Sequence, residues 1–265
     1  MLTAEGITDI GLCRDTNQDA YDIIKLPGGA VAVILCDGMG GENGGNVASD
    51  LSVKTIAAQL RRGYHPALGE ASLRGLLLSA VSVANALVHD RAKRDEALSG
   101  MGTTAEVVLA RGRTACIAHV GDSSVFSLSP NGEGSPLEGK IEKLTCDHTR
   151  VQQLLDQGVI TAQEADNHPE RHYIVRAVGV ASAVNPDYDQ FTLPEGGGLL
   201  ICSDGLTNHV EPQEICRILL PAIRSGELRN GVQKLVEAAN RFGGADNITA
   251  VVIADQAEGE ARSNG

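Results

Sequence analysis

Five aspartates stand where an apolar run begins or ends, in surroundings that suit cation binding better than turns. In "VAVILCDGMGGENGG", residues 31–45, small and branched apolar residues lead straight into Asp37, followed by Gly38, Gly40, Gly41, Gly44 and Gly45. "TACIAHVGDSS" delivers Asp122 and "GGLLICSDGL" delivers Asp204 in the same way. "GGADNITAVVIA" sets Asp246 immediately before such a run, and "CRDTNQDAYDII" sets Asp19 before another, close to Arg14. Asp-Gly is a favoured turn dipeptide, and a plain turn leads into a returning strand. Asp37-Gly38 leads instead into a glycine loop and a helical pattern, and Asp204-Gly205 into "LTNHVEPQE", a loop feeding a helix.

Carboxylates at strand ends can converge on one rim of a sheet core. Left bare, they repel and raise one another's pKa. Divalent cations such as Mg²⁺ and Mn²⁺ resolve this, because hard ions take carboxylate, carbonyl and water oxygens. A glycine beside a ligand aspartate lets a backbone carbonyl reach the same ion, which makes Asp37 and the Gly38 carbonyl candidate ligands. Two ions about 3.5–4 Å apart can lower the pKa of a shared water and aim it at phosphorus. Arg14 could then clamp a phosphate oxygen bidentately.

Composition agrees. A formal charge of −12 over 265 residues argues against nucleic acid or an anionic membrane face as partner. Bound cations would reverse the local sign of an acidic pocket and admit an anionic substrate. Aromatics are scarce and tryptophan is absent, so no stacking platform for bases is expected. Cys36, Cys116 and Cys202 lie in apolar runs, with no C-x-x-C pair and no Cys/His cluster of zinc spacing. Buried, reduced thiols are expected, hence a cytoplasmic protein. "MLTAEGITDIG" lacks the basic start and apolar core of a signal peptide, and no apolar run approaches the roughly 20 residues needed to cross a bilayer. "GGENGG" lacks the Lys-Ser/Thr of a nucleotide P-loop, and there is no Gly-x-Ser-x-Gly elbow.

The elements that must position these residues read as short strands and longer helices. Strand-like runs fall at 20–25, 29–36, 103–110, 113–120, 123–129, 186–193, 198–203 and 247–254, separated by turn signals such as "PGG", "RGR" and "PNGEG". "GNVASDLSVKTIAAQL" and "EASLRGLLLSAVSVANALVHDRAKRDEAL" carry helical periodicity, and a second helical pair falls near 212–223 and 228–241. Runs of each type, rather than strict alternation, predict an antiparallel α+β architecture, with two sheets packed face to face and covered by helices. The hairpin-like strands from 103 to 129 support it. One domain over residues 1–256 is expected, with a frayed tail at 257–265.

In this order the motifs resemble the metal-dependent Ser/Thr protein phosphatases of the PPM or phosphatase 2C type, in their compact bacterial form. The resemblance runs over nearly the whole chain, through "GLCRDTNQDA", "CDGMGG", "GMGTTA", "HVGDSS", "DHTRVQQLLDQGVITAQEADNHPERHYIVRAVG", "CSDGLTNHV" and "GGADNITAVV". It implies a four-layer sandwich and hydrolysis of phosphoserine and phosphothreonine monoesters by direct attack of a water or hydroxide bridging two Mn²⁺ or Mg²⁺ ions, with no phosphoenzyme. By the resemblance, Asp37 bridges both ions with the Gly38 carbonyl on the second, Asp204 and Asp246 hold the first, and Asp122 serves a third, weaker site. Arg14 binds substrate phosphate, and Asp19 hydrogen-bonds the metal waters near the nucleophile. The partners implied are phosphorylated proteins, opposite a Ser/Thr kinase; a monomer is the default.

Two positions depart from the family pattern. Gln18 stands where many relatives carry a glutamate near the second metal, and Met39 where some carry a histidine proposed as general acid. A scaffold that has lost catalysis, and a phosphatase of small esters, remain as rivals. The segment at about 147–178 is by resemblance a flap beside the site, with "TRVQQLLDQGVITAQEA" as a helical hairpin and "NHPERHY" as a loop. His148 and His172 read as surface or loop histidines, since two-metal chemistry needs neither. His119 and His209 read as packing or hydrogen-bonding groups beside candidate ligands.

Overall fold

The computed structural model describes residues 1–40, 44–131, 139–166 and 168–255. Gly41 of the glycine loop, most of the "PNGEG" turn, Asn167 of the flap and the expected tail at 257–265 lie outside them. The strands are β1 (Leu2–Asp9), β2 (Asp19–Leu26), β3 (Ala30–Met39), β4 (Gly102–Thr103), β5 (Ala105–Arg111), β6 (Thr114–Val120), β7 (Ser124–Pro130), β8 (Gly139–Lys143), β9 (Asp187–Thr192), β10 (Gly198–Cys202) and β11 (Ile248–Asp255). The helices are α1 (Gly45–Gly63), α2 (Glu70–Arg94), α3 (Arg150–Asp156), α4 (Ala162–Asp166), α5 (Asp204–Thr207), α6 (Pro212–Ser225) and α7 (Leu228–Arg241).

Two antiparallel sheets form the centre. One has the order β1-β11-β10-β7-β8, the other β2-β3-β5-β6-β9 with β4 added beside β3. Their central strands are apolar on both faces, as strands covered on both sides must be. In β3, Val31, Val33 and Leu35 face the space between the sheets, while Ala32, Ile34 and Cys36 pack under α1 and α2. In β11, Val251 and Ile253 face the other sheet, and Ala250, Val252 and Ala254 pack under α6 and α7. Helices, sheet, sheet, helices: the chain is the four-layer α+β sandwich expected.

Several expectations change in detail. β1 and β8 were not legible as strands, and both are edges. β5 and β6 are a hairpin, but β7 is not its continuation. The chain crosses at 121–123 from one sheet to the other, because β6 pairs β5 and β9 whereas β7 pairs β10 and β8. The loop expected after Asp204 begins with a short helical turn, α5. α2, at 25 residues, is long and apolar enough to span a bilayer. Here it packs a stripe of Leu73, Leu77, Ala80, Val81, Ala84 and Val88 into the core. All six cysteines are unbridged, and Cys36, Cys116, Cys202 and Cys216 are buried.

Candidate active site

Strand register brings the aspartates together at one end of the sandwich. Asp19 opens β2 and is the direct cross-strand partner of Asp37 in β3. In the other sheet, Asp204 follows β10 and Asp246 precedes β11, and these strands are antiparallel neighbours with Cys202 opposite Ala250. Asp122 lies in the crossing segment just before β7, whose Ser124 is also opposite Cys202. Each sheet thus contributes two carboxylates, and the crossing contributes the fifth.

Hydrogen bonds fix where these carboxylates stand. Asp19 is buried. Its Oδ2 accepts from the Ser203 hydroxyl at 2.8 Å and from the Thr249 hydroxyl at 2.6 Å. Ser203 Oγ in turn accepts from the Thr249 N–H at 3.0 Å, and Thr249 Oγ1 lies 2.7 Å from Thr8 Oγ1. The backbone at Asp37 is held by the doublet between β4 and β5. The Thr103 hydroxyl and the Thr104 N–H both donate to the Asp37 carbonyl, and the Asp37 N–H donates to Thr104 Oγ1 at 2.9 Å. Asp204 Oδ2 accepts from Asn208 Nδ2 at 3.1 Å. Arg14 pairs with Asp246 at 2.7 Å, with its side chain half exposed.

Asn247 ties the Arg14 loop to this end of the sandwich. Its Oδ1 accepts from the Gln18 N–H at 2.8 Å, and its amide donates to the Ile10 and Thr16 carbonyls, each at 3.0 Å. Gln18 itself lies under the start of α1, where its carbonyl accepts from Ser49 Oγ at 2.6 Å and from the Gly38 N–H at 3.1 Å. The two glycines are needed for that contact. A Cβ on Gly38 would stand 2.2 Å from the Gly45 carbonyl oxygen, and one on Gly45 would stand 2.8 Å from Gln18 Oε1.

Electrostatics mark the cluster as short of positive charge. Burial, and then the charges of Asp19, Asp204, Asp122 and Asp246, push Asp37 well above the ordinary carboxylate range. Burial raises Asp19 to about 6, against the lowering effect of its two hydroxyl donors. Burial and the Asp204 charge raise Asp122 to about 7. Asp204 is raised by burial and by Asp246, with Asn208, His172 and Arg14 opposing. Asp19 Oδ1 is buried with no hydrogen-bond partner among the described residues. Among those residues, no three Asp, Glu, His or Cys side chains close into a compact cage. Crowded carboxylates, an orphaned oxygen and an open arrangement fit a hard divalent cation that keeps much of its own water.

The flap is tied to the sandwich by a buried polar post that the sequence reading missed. Cross-strand partners Glu106 and His119 are both buried and hydrogen-bonded through Nδ1. His119 Nε2 lies 2.8 Å from the Cys146 carbonyl oxygen and therefore carries a proton. Burial raises Glu106; at His119 burial works downward, but the Glu106 charge and hydrogen bond outweigh it. His148 stacks on His119 with centroids 4.5 Å apart, accepts at Nδ1 from the Gly121 N–H and meets Asp187 at 3.0 Å through Nε2. His148 is thus buried rather than a surface residue, because its ring closes the gap between the crossing segment and the flap. The signal available was a lone glutamate in "AEVVLA" opposite a lone histidine in "CIAHV", two apolar strands joined by a tight turn. α3 and α4 form the expected helical hairpin, and His172 is exposed. His209 accepts from the Ala245 N–H at 3.1 Å.

Comparisons with known proteins lead to the same class. The family model for protein phosphatase 2C matches residues 14–240. A putative protein phosphatase 2C-type of Streptococcus pyogenes is 35% identical over 251 residues, covering 95% of this chain and 96% of the relative. The protein phosphatase PhpP of Streptococcus pneumoniae is 34% identical over 247 residues, covering 93% of this chain and 95% of that one. The solved serine/threonine phosphatase of S. agalactiae superposes with a TM-score of 0.85 at 31% identity, covering 97% of this chain and all of that one. The family model and relatives of these names show a phosphoprotein phosphatase. The chain belongs to the protein phosphatase 2C family.

Proposed function

We propose that the chain releases phosphate from phosphoserine and phosphothreonine in proteins by direct attack of water, with no phosphoenzyme. The observation that carries this reading is the set of five aspartates gathered at one end of both sheets, four of which, Asp19, Asp37, Asp122 and Asp204, have pKa values raised by burial and neighbouring carboxylates. When bound, two Mn²⁺ or Mg²⁺ ions would supply an activated water and positive charge opposite the phosphoryl oxygens. Asp37 would hold both ions, the Gly38 carbonyl the second, and Asp204 and Asp246 the first; Asp122 would serve a third, weaker site.

The chain's own residues bind and orient. Arg14 is half exposed and tethered at Asp246, so its guanidinium is presented beside the carboxylates and can take two phosphoryl oxygens. Asp19 has one oxygen fixed by Ser203 and Thr249, which leaves Oδ1 to accept a proton from the attacking water. The flap, stacked on the sandwich through His148, carries His172, whose charge opposes the rise at Asp204.

Residues 1–256 would act as one domain, as a monomer in the cytoplasm, opposite a Ser/Thr kinase. Calorimetric titration with Mn²⁺ tests the centre. Wild type should take up at least two ions, with the tighter one lost in Asp204→Asn. No divalent binding by the folded wild type would remove the proposed mechanism.

A further inference from the structure

Two exposed apolar side chains border the Arg14 loop, and the phosphoryl chemistry uses neither. Leu12 is 68% and Phe242 65% exposed, in a chain with only three phenylalanines. Large apolar groups left in water next to a functional site mark an interaction surface. Ile10, 39% exposed, extends it.

The two loops that carry them are knit by backbone. The Leu12 N–H donates to the Gly244 carbonyl at 2.7 Å, and the Cys13 thiol approaches the Gly243 carbonyl at 4.0 Å. A Cβ on Gly11 would stand 2.2 Å from the Asp246 carbonyl oxygen, and one on Gly244 would stand 3.0 Å from Leu12 Cγ, so glycine permits both approaches. The surface is therefore built before any ligand arrives. The same two loops hold Arg14 and Asp246, joined at 2.7 Å.

That continuity says what covers the patch. A phosphoresidue held at Arg14 brings its own chain across these loops. Leu12 is two residues from Arg14, at most about 7 Å along the chain, which is the reach of two residues of an extended substrate. An acidic flank is disfavoured by exposed Asp15 and the net charge of −12. This chain's own last ten residues, "QAEGEARSNG", offer no large apolar side chain. We propose that Leu12 and Phe242 seat an apolar side chain lying two or three residues from the phosphoserine or phosphothreonine of a protein substrate. The proposal rests on the phosphatase reading above.

The test compares two phosphothreonine peptides, one with leucines two residues to either side of the phosphoresidue and one with serines there, and p-nitrophenyl phosphate as a substrate with no flank. Wild type should favour the leucine peptide by about tenfold in kcat/KM, the scale expected for partly burying one leucine. Leu12→Ser with Phe242→Ser should erase that preference while leaving p-nitrophenyl phosphate turnover unchanged. Equal kcat/KM for both peptides in wild type, or a preference that survives the double substitution, overturns the seat. So does a double variant that only converts a dimer to a monomer in sedimentation. Should wild type hydrolyse none of the three substrates, the phosphatase reading fails instead, and the seat is then judged by anisotropy. A labelled leucine peptide binding wild type no better than the variant would end it.

Discussion

Asp19 and Asp37 are direct partners across the β2–β3 ladder, two carboxylates where a sheet would ordinarily avoid like charges. The Asp19 carboxylate is pinned from the opposite sheet by Ser203 and Thr249, and the Asp37 backbone is held by Thr103 and Thr104. The fold holds the pair in place against repulsion, which a bound cation would relieve.

Stability without metal should therefore depend on pH in an unusual direction. Folding raises Asp19 to about 6 and Asp122 to about 7, from the ordinary aspartate value of 3.8. Their favourable contribution is complete below pH 4 and is lost as pH rises through the folded values. In EDTA these groups should lower Tm between pH 4 and 7, and saturating Mn²⁺ should abolish that component. Asp37→Asn should raise the Tm of the EDTA-treated protein at pH 7.5. A lower Tm in that variant would contradict the repulsion.

The hydroxyls that hold Asp19 also lower its pKa. Thr249→Val should cost about 1–2 kcal/mol by urea unfolding, since a buried carboxylate loses a donor. It should also move the acid limb of kcat/KM to higher pH, because ionised Asp19 becomes harder to form. An unmoved limb would mean that Asp19 does not act as an ionised group.

Much of the candidate site was legible because its carboxylates flank apolar runs, and strand ends are visible in sequence. The layered fold was legible for the same reason: β3, β5, β6, β10 and β11 are buried on both faces. β1 and β8 were not, since the edge segments "LTAEGITD" and "GKIEK" interleave polar residues and lack a core signature. Nor were Ser203, Thr249 and Asn247, ordinary polar residues whose partners lie up to 241 residues away and meet only on folding. Nothing local distinguishes buried His148 from an exposed loop histidine.

The approach of Gly38 to α1 leaves no room for a methyl group. Gly38→Ala should cost about 1–3 kcal/mol by chemical unfolding and weaken Mn²⁺ binding at least tenfold by calorimetry, because the carbonyl must move with the displaced backbone. Wild-type affinity in this variant would remove the Gly38 carbonyl from the ligand set.

The flap should loosen when its post is cut. His148 has a pKa lowered to about 4, chiefly by burial, so it is neutral at pH 7. His148→Ala removes the stack on His119 and the bond from Gly121. Tryptic cleavage after Arg171 should accelerate about tenfold, the scale of one lost net hydrogen bond. Unchanged cleavage would mean that the flap is held by other contacts.

Hydrolysis of a phosphoester at the aspartate centre should depend on bound metal. Phosphate release from a phosphothreonine peptide should proceed with Mn²⁺ or Mg²⁺, stop in excess EDTA, and fall at least a hundredfold in folded Asp37→Asn. Release that persists in EDTA, or wild-type turnover in Asp37→Asn, would contradict it.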